Sequence, residues 1–187
     1  MSMDKMIPLM LNGIKDTLYM TTVSTLFAYL LGLPLAILLV LTAPSGLKPQ
    51  KLVYRLLDAV VNIFRSIPFL ILMILVFPLT RLIVGTAVGT VASIVPLVIA
   101  SFPFVARLVE SSLREVNPNI IEAAQSMGAS PMQIIIKVMI PESVPSLLSN
   151  FTIAITTILG YSAMAGFIGG GGLGTVAVNY GYNRYNF

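Results

Sequence analysis

The sequence predicts an all-α integral membrane protein built as a polytopic helical bundle, and three observations carry that expectation. Of its 187 residues 57% are hydrophobic and 10% charged, against about 45–50% and about 25% in an ordinary soluble domain. Mean hydropathy is +0.94, so most side chains prefer lipid to water. Uncharged runs of 31, 25 and 41 residues lie between Asp16 and Lys48, Arg81 and Arg107, and Glu142 and Arg184. Each is long enough for the ~20 residues that cross a hydrocarbon core.

These runs and one shorter one give four expected spans, at residues 17–41, 59–80, 86–105 and 144–167, joined by a polar connection at 106–143. Together they make a single membrane domain over residues 1–187. The first is longer than the apolar core of a cleavable signal and no A-x-A-like site follows it, so it is expected to stay in the mature chain. The second contains Arg65. From Ile67 to Thr80 there are 14 residues, too few to cross alone, so Arg65 is expected in the first turns with its guanidinium extended to the interface.

Orientation follows from the bases in the short connections. Lys48, Lys51 and Arg55 lie in residues 42–62, and Arg107, Arg114 and Lys137 in residues 106–143, whereas Lys5, Lys15, Arg81 and Arg184 fall on the other side. Both base-rich connections are therefore expected in the cytoplasm, with the N-terminus outside.

The chain has no Cys and no His. This removes disulfides, thiolate nucleophiles, imidazole bases and nearly every zinc, haem or iron–sulfur site, so no catalytic residue, metal or cofactor is expected. Gly169–Gly174, GGGGLG, formally fits G-x-G-x-x-G, but it follows a membrane helix and is expected to be a flexible outer loop. No P-loop sequence occurs, so ATP, if used, belongs to a partner. Gly85–Gly89 and Gly166–Gly170 have the G-x-x-x-G spacing of close helix packing. Asn150-Phe151-Thr152 reads as a chance glycosylation sequon on the inner side. The net charge of +4 comes from dispersed bases alternating with acids, a pattern of membrane orientation and not of nucleic-acid binding.

The connection at 106–143 reads as helix, glycine turn, helix. Either Asn117 caps with Pro118 at the first helical position, or Asn119 caps with Glu122 three residues on. The helix runs through Ile120, Ile121, Ala123, Ala124 and Met127 and stops at Gly128, which tolerates the left-handed conformation. Ser130 and Pro131 then cap a second helix that Pro141 is expected to end. Such a hairpin either packs on its own bundle at the interface or docks another protein.

The run EAAQSMGASPMQIIIKVMIPE, Glu122 to Glu142, resembles the EAA loop of permease subunits of bacterial ABC importers. Glu122, Ala123, Ala124, Gly128 and Pro141 match in place, with Val138 for an Ile and Ile140 for a Leu. NIFRSIPF at Asn62–Phe69 and GYSAMAGFIGGGGLG at Gly160–Gly174 are similar to the methionine importer permease family in particular. The resemblance implies a type I ABC importer permease core in the bacterial inner membrane, working as a homodimer. It also implies two cytoplasmic ATPase subunits and an extracytoplasmic substrate-binding protein, commonly a lipoprotein. The first helix of the loop would then be the coupling helix, with Glu122 a charged contact to the ATPase and Gly128 its turn. Members resemble a five-span core, whereas here the aromatic and polar Asn179–Phe187 is followed by nothing. Either the last span is missing or this is a four-span variant.

Two further lines bear on function. The acids all fall outside the expected spans, which disfavours a proton- or sodium-coupled carrier. An intramembrane Ser–Lys protease is disfavoured too, since Lys137 is the only lysine after Lys51 and lies in the loop. A permease for another amino acid or small solute, a secondary transporter and a small channel remain alternatives. Within Gly160–Gly166, Tyr161, Ser162 and Met164 are the candidate pathway and gate residues, since a flexible Met among small residues can plug a gap and move aside. The plainer reading is that they pack the bundle.

Overall fold

A computed structural model describes residues 3–183; Arg184, one of the bases used for orientation, lies outside the described residues with Tyr185, Asn186 and Phe187. Every regular element among the described residues is helical: α1 (Met3–Thr42), α2 (Lys51–Ser66), α3 (Phe69–Val84), α4 (Thr90–Arg114), α5 (Pro118–Ser126), α6 (Pro131–Ile134), a π-helical stretch (Ile135–Met139), α7 (Ile140–Glu142) and α8 (Val144–Ala165), then a 3-10 turn (Gly166–Ile168), α9 (Gly172–Val176) and a second π stretch (Ala177–Tyr182). Among the described residues three stretches are long and apolar enough to cross a membrane, Met6–Thr42, Thr90–Arg114 and Val144–Tyr182.

The expected span at 59–80 is not one helix. α2 and α3 are bent by 109° at the break between them and make a fourth crossing only as a pair. Pro68 is the cause: it has no N–H for the helical ladder and forces the residue before it out of the α region. With ψ 136 it stands in extended conformation as the N-cap of α3. Arg65 consequently falls in the last turn of α2 and not in the first turns of a span. The expected boundary at Val105 also moves. No Gly or Pro interrupts Phe104–Arg114, so α4 runs on to Arg114 and carries Arg107, Glu110 and Arg114 as helix.

Contacts fall into two compact groups. Among the described residues one holds 3–28, Ile67–Ser101 and 155–183. Here α1 buries Thr17, Met20, Thr21, Ser24, Thr25 and Ala28 while Leu18 and Leu26 stay exposed. A stripe of small and hydroxyl-bearing residues lets backbones approach where lipid removes the hydrophobic drive between helices. The glycine run expected to be a flexible outer loop is packed. Gly169 O accepts from Gly89 N–H at 2.9 Å, Gly170 O accepts from Ser93 Oγ at 3.1 Å, and Thr17 Oγ1 accepts from Leu173 N–H at 2.9 Å. Missing side chains permit this: a Cβ at Gly166 would lie 2.2 Å from the backbone of Gly174. Gly166 thus packs as its spacing suggested, but Gly85 and Gly89, at φ 83 and 106, are turn residues between α3 and α4.

The second group holds Tyr29–Ser66 and Phe102–Ala154. α1 meets α4 at Gly32, whose Cβ would sit 2.9 Å from Val105 Cγ1. Tyr29 is edge-on to Phe151 at 5.2 Å between ring centroids. α2 turns Leu52, Leu56, Val60 and Ile63 outward, an apolar face that lipid accepts, and sets its polar face on α4. Arg107 pairs with Asp58 and, at 2.7 Å, with Glu110; Arg114 pairs with the other oxygen of Glu110 at 2.7 Å. Tyr54 receives the Arg114 guanidinium over its ring, 5.8 Å from the centroid. Two acids and two bases cancel, and only a neutral, hydrogen-bonded cluster can hold Glu110 at 2% exposure without a large desolvation penalty.

Candidate functional site

The segment with the EAA pattern lies wholly within the second group and is ordered by local chemistry. Asn117 Oδ1 accepts from Asn119 N–H at 3.0 Å with Pro118 at the first helical position, which decides between the two capping registers left open by the sequence. Ten residues after Pro118, the helix is closed by a left-handed residue. Gly128 has φ 81, its N–H donates to Gln125 O at 2.9 Å, and Ala129 N–H donates to Ala124 O at 3.1 Å. This pair of bonds is the Schellman closure, which satisfies carbonyls the helix end would otherwise leave unpaired.

α5 has two distinct sides. Ala124 is buried and Ile121 half-buried, whereas Glu122, Ala123, Gln125 and Ser126 are exposed and Met127 is 82% exposed. Ala124 therefore seats the helix on its own bundle; Glu122 and Ala123 face outward. Within the second group, beside α5, lies an open cleft of about 470 Å³ whose lining includes Val40, Ala43, Leu113, Ile121, Glu122 and Met139. An exposed carboxylate beside a small residue and a flexible Met suits contact with another protein surface, because it offers charge for orientation and apolar area for burial.

Past the turn, Ser130 forms a capping box with Gln133: its Oγ accepts Gln133 N–H, and Gln133 Oε1 accepts Ser130 N–H at 2.9 Å. Pro141 does not end this second helix, contrary to expectation. The ladder loosens into the π stretch before it, where Ile140 N–H donates to Ile135 O, so the N–H that proline lacks is not missed at its position. The chain turns only at Ser143, whose N–H donates to Met139 O at 3.0 Å and whose Oγ donates to the same carbonyl at 2.7 Å. Pro141 is exposed and sits on a separate helical piece from Glu122, Ala123 and Ala124.

Tyr161, Ser162 and Met164 belong to the first group. Tyr161 stacks flat on Phe69, 4.7 Å between centroids and 3° between planes. Ser162 is buried and donates to Leu159 O at 2.7 Å within its own helix. Met164 is 44% exposed. Tyr161 and Ser162 are engaged locally, and Met164 is the exposed member of the three.

Some polar residues that matter to this site carry no motif. Asn150, which in the sequence stands only in a formal sequon, bridges α8 to α4: its amide donates to Leu108 O at 3.1 Å and to Ser112 Oγ at 2.8 Å. Asp58, Arg107 and Glu110 were placed by the sequence in connections. A helix reading carried on past Val105, with Arg107, Glu110 and Arg114 at i, i+3 and i+7, is the signal that finds their cluster.

Comparison with known proteins places this arrangement. The family described as "Binding-protein-dependent transport system inner membrane component" matches residues 28–184. The probable D-methionine transport system permease protein MetI of Vibrio cholerae is 52% identical over 178 residues, 95% of this chain and 79% of that protein. The D-methionine transport system permease protein MetI of Escherichia coli is 48% identical over 163 residues, 87% of this chain and 75% of that protein. Among solved structures, one reported as inward facing conformations of the MetNI methionine ABC transporter superposes with TM-score 0.97 at 48% identity, covering 100% of this chain and 86% of the other. An amino acid ABC transporter shares the fold alone, at TM-score 0.79 and 23% identity.

Proposed function

Because the chain belongs to the inner membrane components of binding-protein-dependent transport systems, we propose that it is the membrane permease subunit of an ATP-driven methionine importer. It is a multi-pass membrane protein and a transport subunit, with ATP hydrolysed by a separate subunit. The methionine assignment draws on relatives named for D-methionine transport that are about half identical over most of the chain. One observation carries the mechanism: the exposed face of α5, with Glu122 and Ala123 outward, Ala124 seated inward and Gly128 closing the helix.

In this reading α5 is the coupling helix. Glu122 supplies a charged contact to the ATPase, Ala123 permits close approach, Ala124 fixes the helix to its own bundle, and Gly128 and Pro141 shape the hairpin around it. Two copies of the permease enclose the pathway between them, and an extracytoplasmic binding protein delivers the amino acid. No Arg or Lys in the described part of α8 could grip a carboxylate, which suits a low-affinity passage fed by a selective binding protein. Met164, the exposed member of its trio, forms the constriction where two copies meet.

The test is uptake of radiolabelled methionine into proteoliposomes. Uptake is expected only with the ATPase subunit, the binding protein and ATP all present; a channel or secondary carrier would conduct without the ATPase. In the same vesicles Met164→Trp is expected to block uptake with assembly intact, and Met164→Ala to raise leak or ATP hydrolysis without uptake. If neither substitution changes uptake, leak or hydrolysis, Met164 is packing and the pathway lies elsewhere.

The proposed orientation puts the N-terminus outside and the loop carrying α5 in the cytoplasm. The chain has no Cys, so an introduced thiol is the sole reporter. Gln50→Cys and Gln125→Cys are expected to react with an impermeant reagent only from the cytoplasmic side, and Asn183→Cys only from outside. The opposite pattern reverses the topology and removes α5 from reach of an ATPase.

A further inference from the structure

We infer that Ser112 and Asn150 are positioning residues that pin together the two ends of the segment carrying α5, so that movement of α5 is delivered to α8 instead of being absorbed in the joints on either side. The inference rests on the coupling reading above. Ser112 and Leu108 lie one turn apart on α4, and Ser146 and Asn150 one turn apart on α8, so each pair shares a helix face. Three hydrogen bonds join these faces and a fourth, within α4, ties Ser112 to Leu108. Asn150 Nδ2 donates to Leu108 O at 3.1 Å and to Ser112 Oγ at 2.8 Å. Ser146 Oγ donates to Ser112 Oγ at 3.1 Å, and Ser112 Oγ donates to Leu108 O at 3.2 Å.

Every donor hydrogen in the arrangement is used. A hydroxyl has one hydrogen and two lone pairs, and Ser112 uses all three; a primary amide has two hydrogens, and Asn150 uses both. Ser112 is fully buried while Ser146 and Asn150 are half-buried, so a partner lost from Ser112 leaves its buried hydroxyl short of a bond. Everything between Ser112 and Ser146 is the segment that carries α5, α6 and α7. The pin therefore converts that segment from a loop strung between two independent helices into a closed unit with α8 as one wall. Just beyond Asn150, Phe151 is held edge-on by Tyr29, which stiffens the same turn of α8. A linkage of this kind matters for coupling because only discrete, packed connections carry displacement between sites.

Simple helix glue would give the same bonds, so the decisive quantity is uptake per ATP hydrolysed, which loss of stability alone does not move. The complete complex is reconstituted with its ATPase and binding protein, and methionine uptake and ATP hydrolysis are read in the same vesicles. Ser112→Ala and Asn150→Leu are each expected to lower uptake per ATP by about five- to tenfold, the equivalent of one such bond, with ATPase association unchanged. The double variant should be no worse than Asn150→Leu, because both act through one link. Should Asn150→Leu fail to assemble, Ser112→Ala decides, as it removes a single hydroxyl and no volume. Uptake per ATP within about twofold of the parent protein in assembled Ser112→Ala overturns the inference, a margin below the loss of one hydrogen bond. Gly128→Val run alongside separates the two ideas. If it leaves association and uptake normal, the coupling reading itself fails and the pin with it; if it impairs both while Ser112→Ala changes nothing, only the pin is wrong.

Discussion

Glu110→Leu should cost the folded protein about 3 kcal/mol or more, because removing one member of a buried ion network strands the others. Glu110 is the hub: each of its oxygens holds a guanidinium at 2.7 Å, one from Arg107 and one from Arg114. Without it, Arg107 keeps Asp58 and Arg114 keeps only Tyr54, so two acids facing two bases become one acid facing two. Glu110→Gln retains an oxygen and the side-chain volume and should lose less than half as much. Heating the detergent-solubilised protein and following its monodisperse size-exclusion peak measures this. A shift on the order of 10 °C is expected for Glu110→Leu, and equal melting of Glu110→Leu and the parent would show that the cluster contributes nothing to stability.

That cluster also marks where the sequence stopped being legible. Long uncharged runs locate α1, α4 and α8 because a membrane helix needs apolar length and little else, and local capping chemistry locates α5 because Asn117, Pro118 and Gly128 act within a few residues of themselves. What fails is continuity. The apolar run from Ile67 to Thr80 is too short to cross alone, so the length a span requires joined it to the end of α2, although Pro68 by itself argues for a break. Charge placed Arg107 and Glu110 in a connection, because a charged residue inside a helix is disfavoured until its partner on another helix is known. Asp58 is 49 residues from Arg107, and no spacing rule reaches that far. Pro141 was misread in the opposite sense: proline ends an α-helix, but a π stretch ahead of it, which no local signal announced, lets the helix pass through. Ser112 and Asn150 belong to no motif; only three-dimensional pairing gives them a role.

Gly128→Val should uncouple the permease from its ATPase while the spans still insert. At φ 81 a β-branched residue costs about 1–3 kcal/mol in backbone strain, and the strain is conformational only, since a Cβ at Gly128 meets nothing within 4 Å. The cheapest relief is to give up the left-handed residue and with it the bonds from Gly128 N–H to Gln125 O and from Ala129 N–H to Ala124 O. The last turn of α5 then unwinds, and Gln125 and Met127 move with it, while Ala124 remains the only buried anchor of the helix. Glu122 and Ala123 would meet the ATPase at the wrong angle. Co-purification of the ATPase and methionine uptake should fall together, uptake by about tenfold or more, as a lost contact of 1.4 kcal/mol implies. Gly128→Asn is the control, because Asn adopts the left-handed conformation at small cost. It should retain association and uptake within about twofold, since it keeps both closing bonds. A Gly128→Val protein that associates and transports normally would remove α5 from the coupling path. A Gly128→Asn protein as impaired as Gly128→Val would show that the absence of any side chain at 128, and not its backbone conformation, is what the ATPase requires.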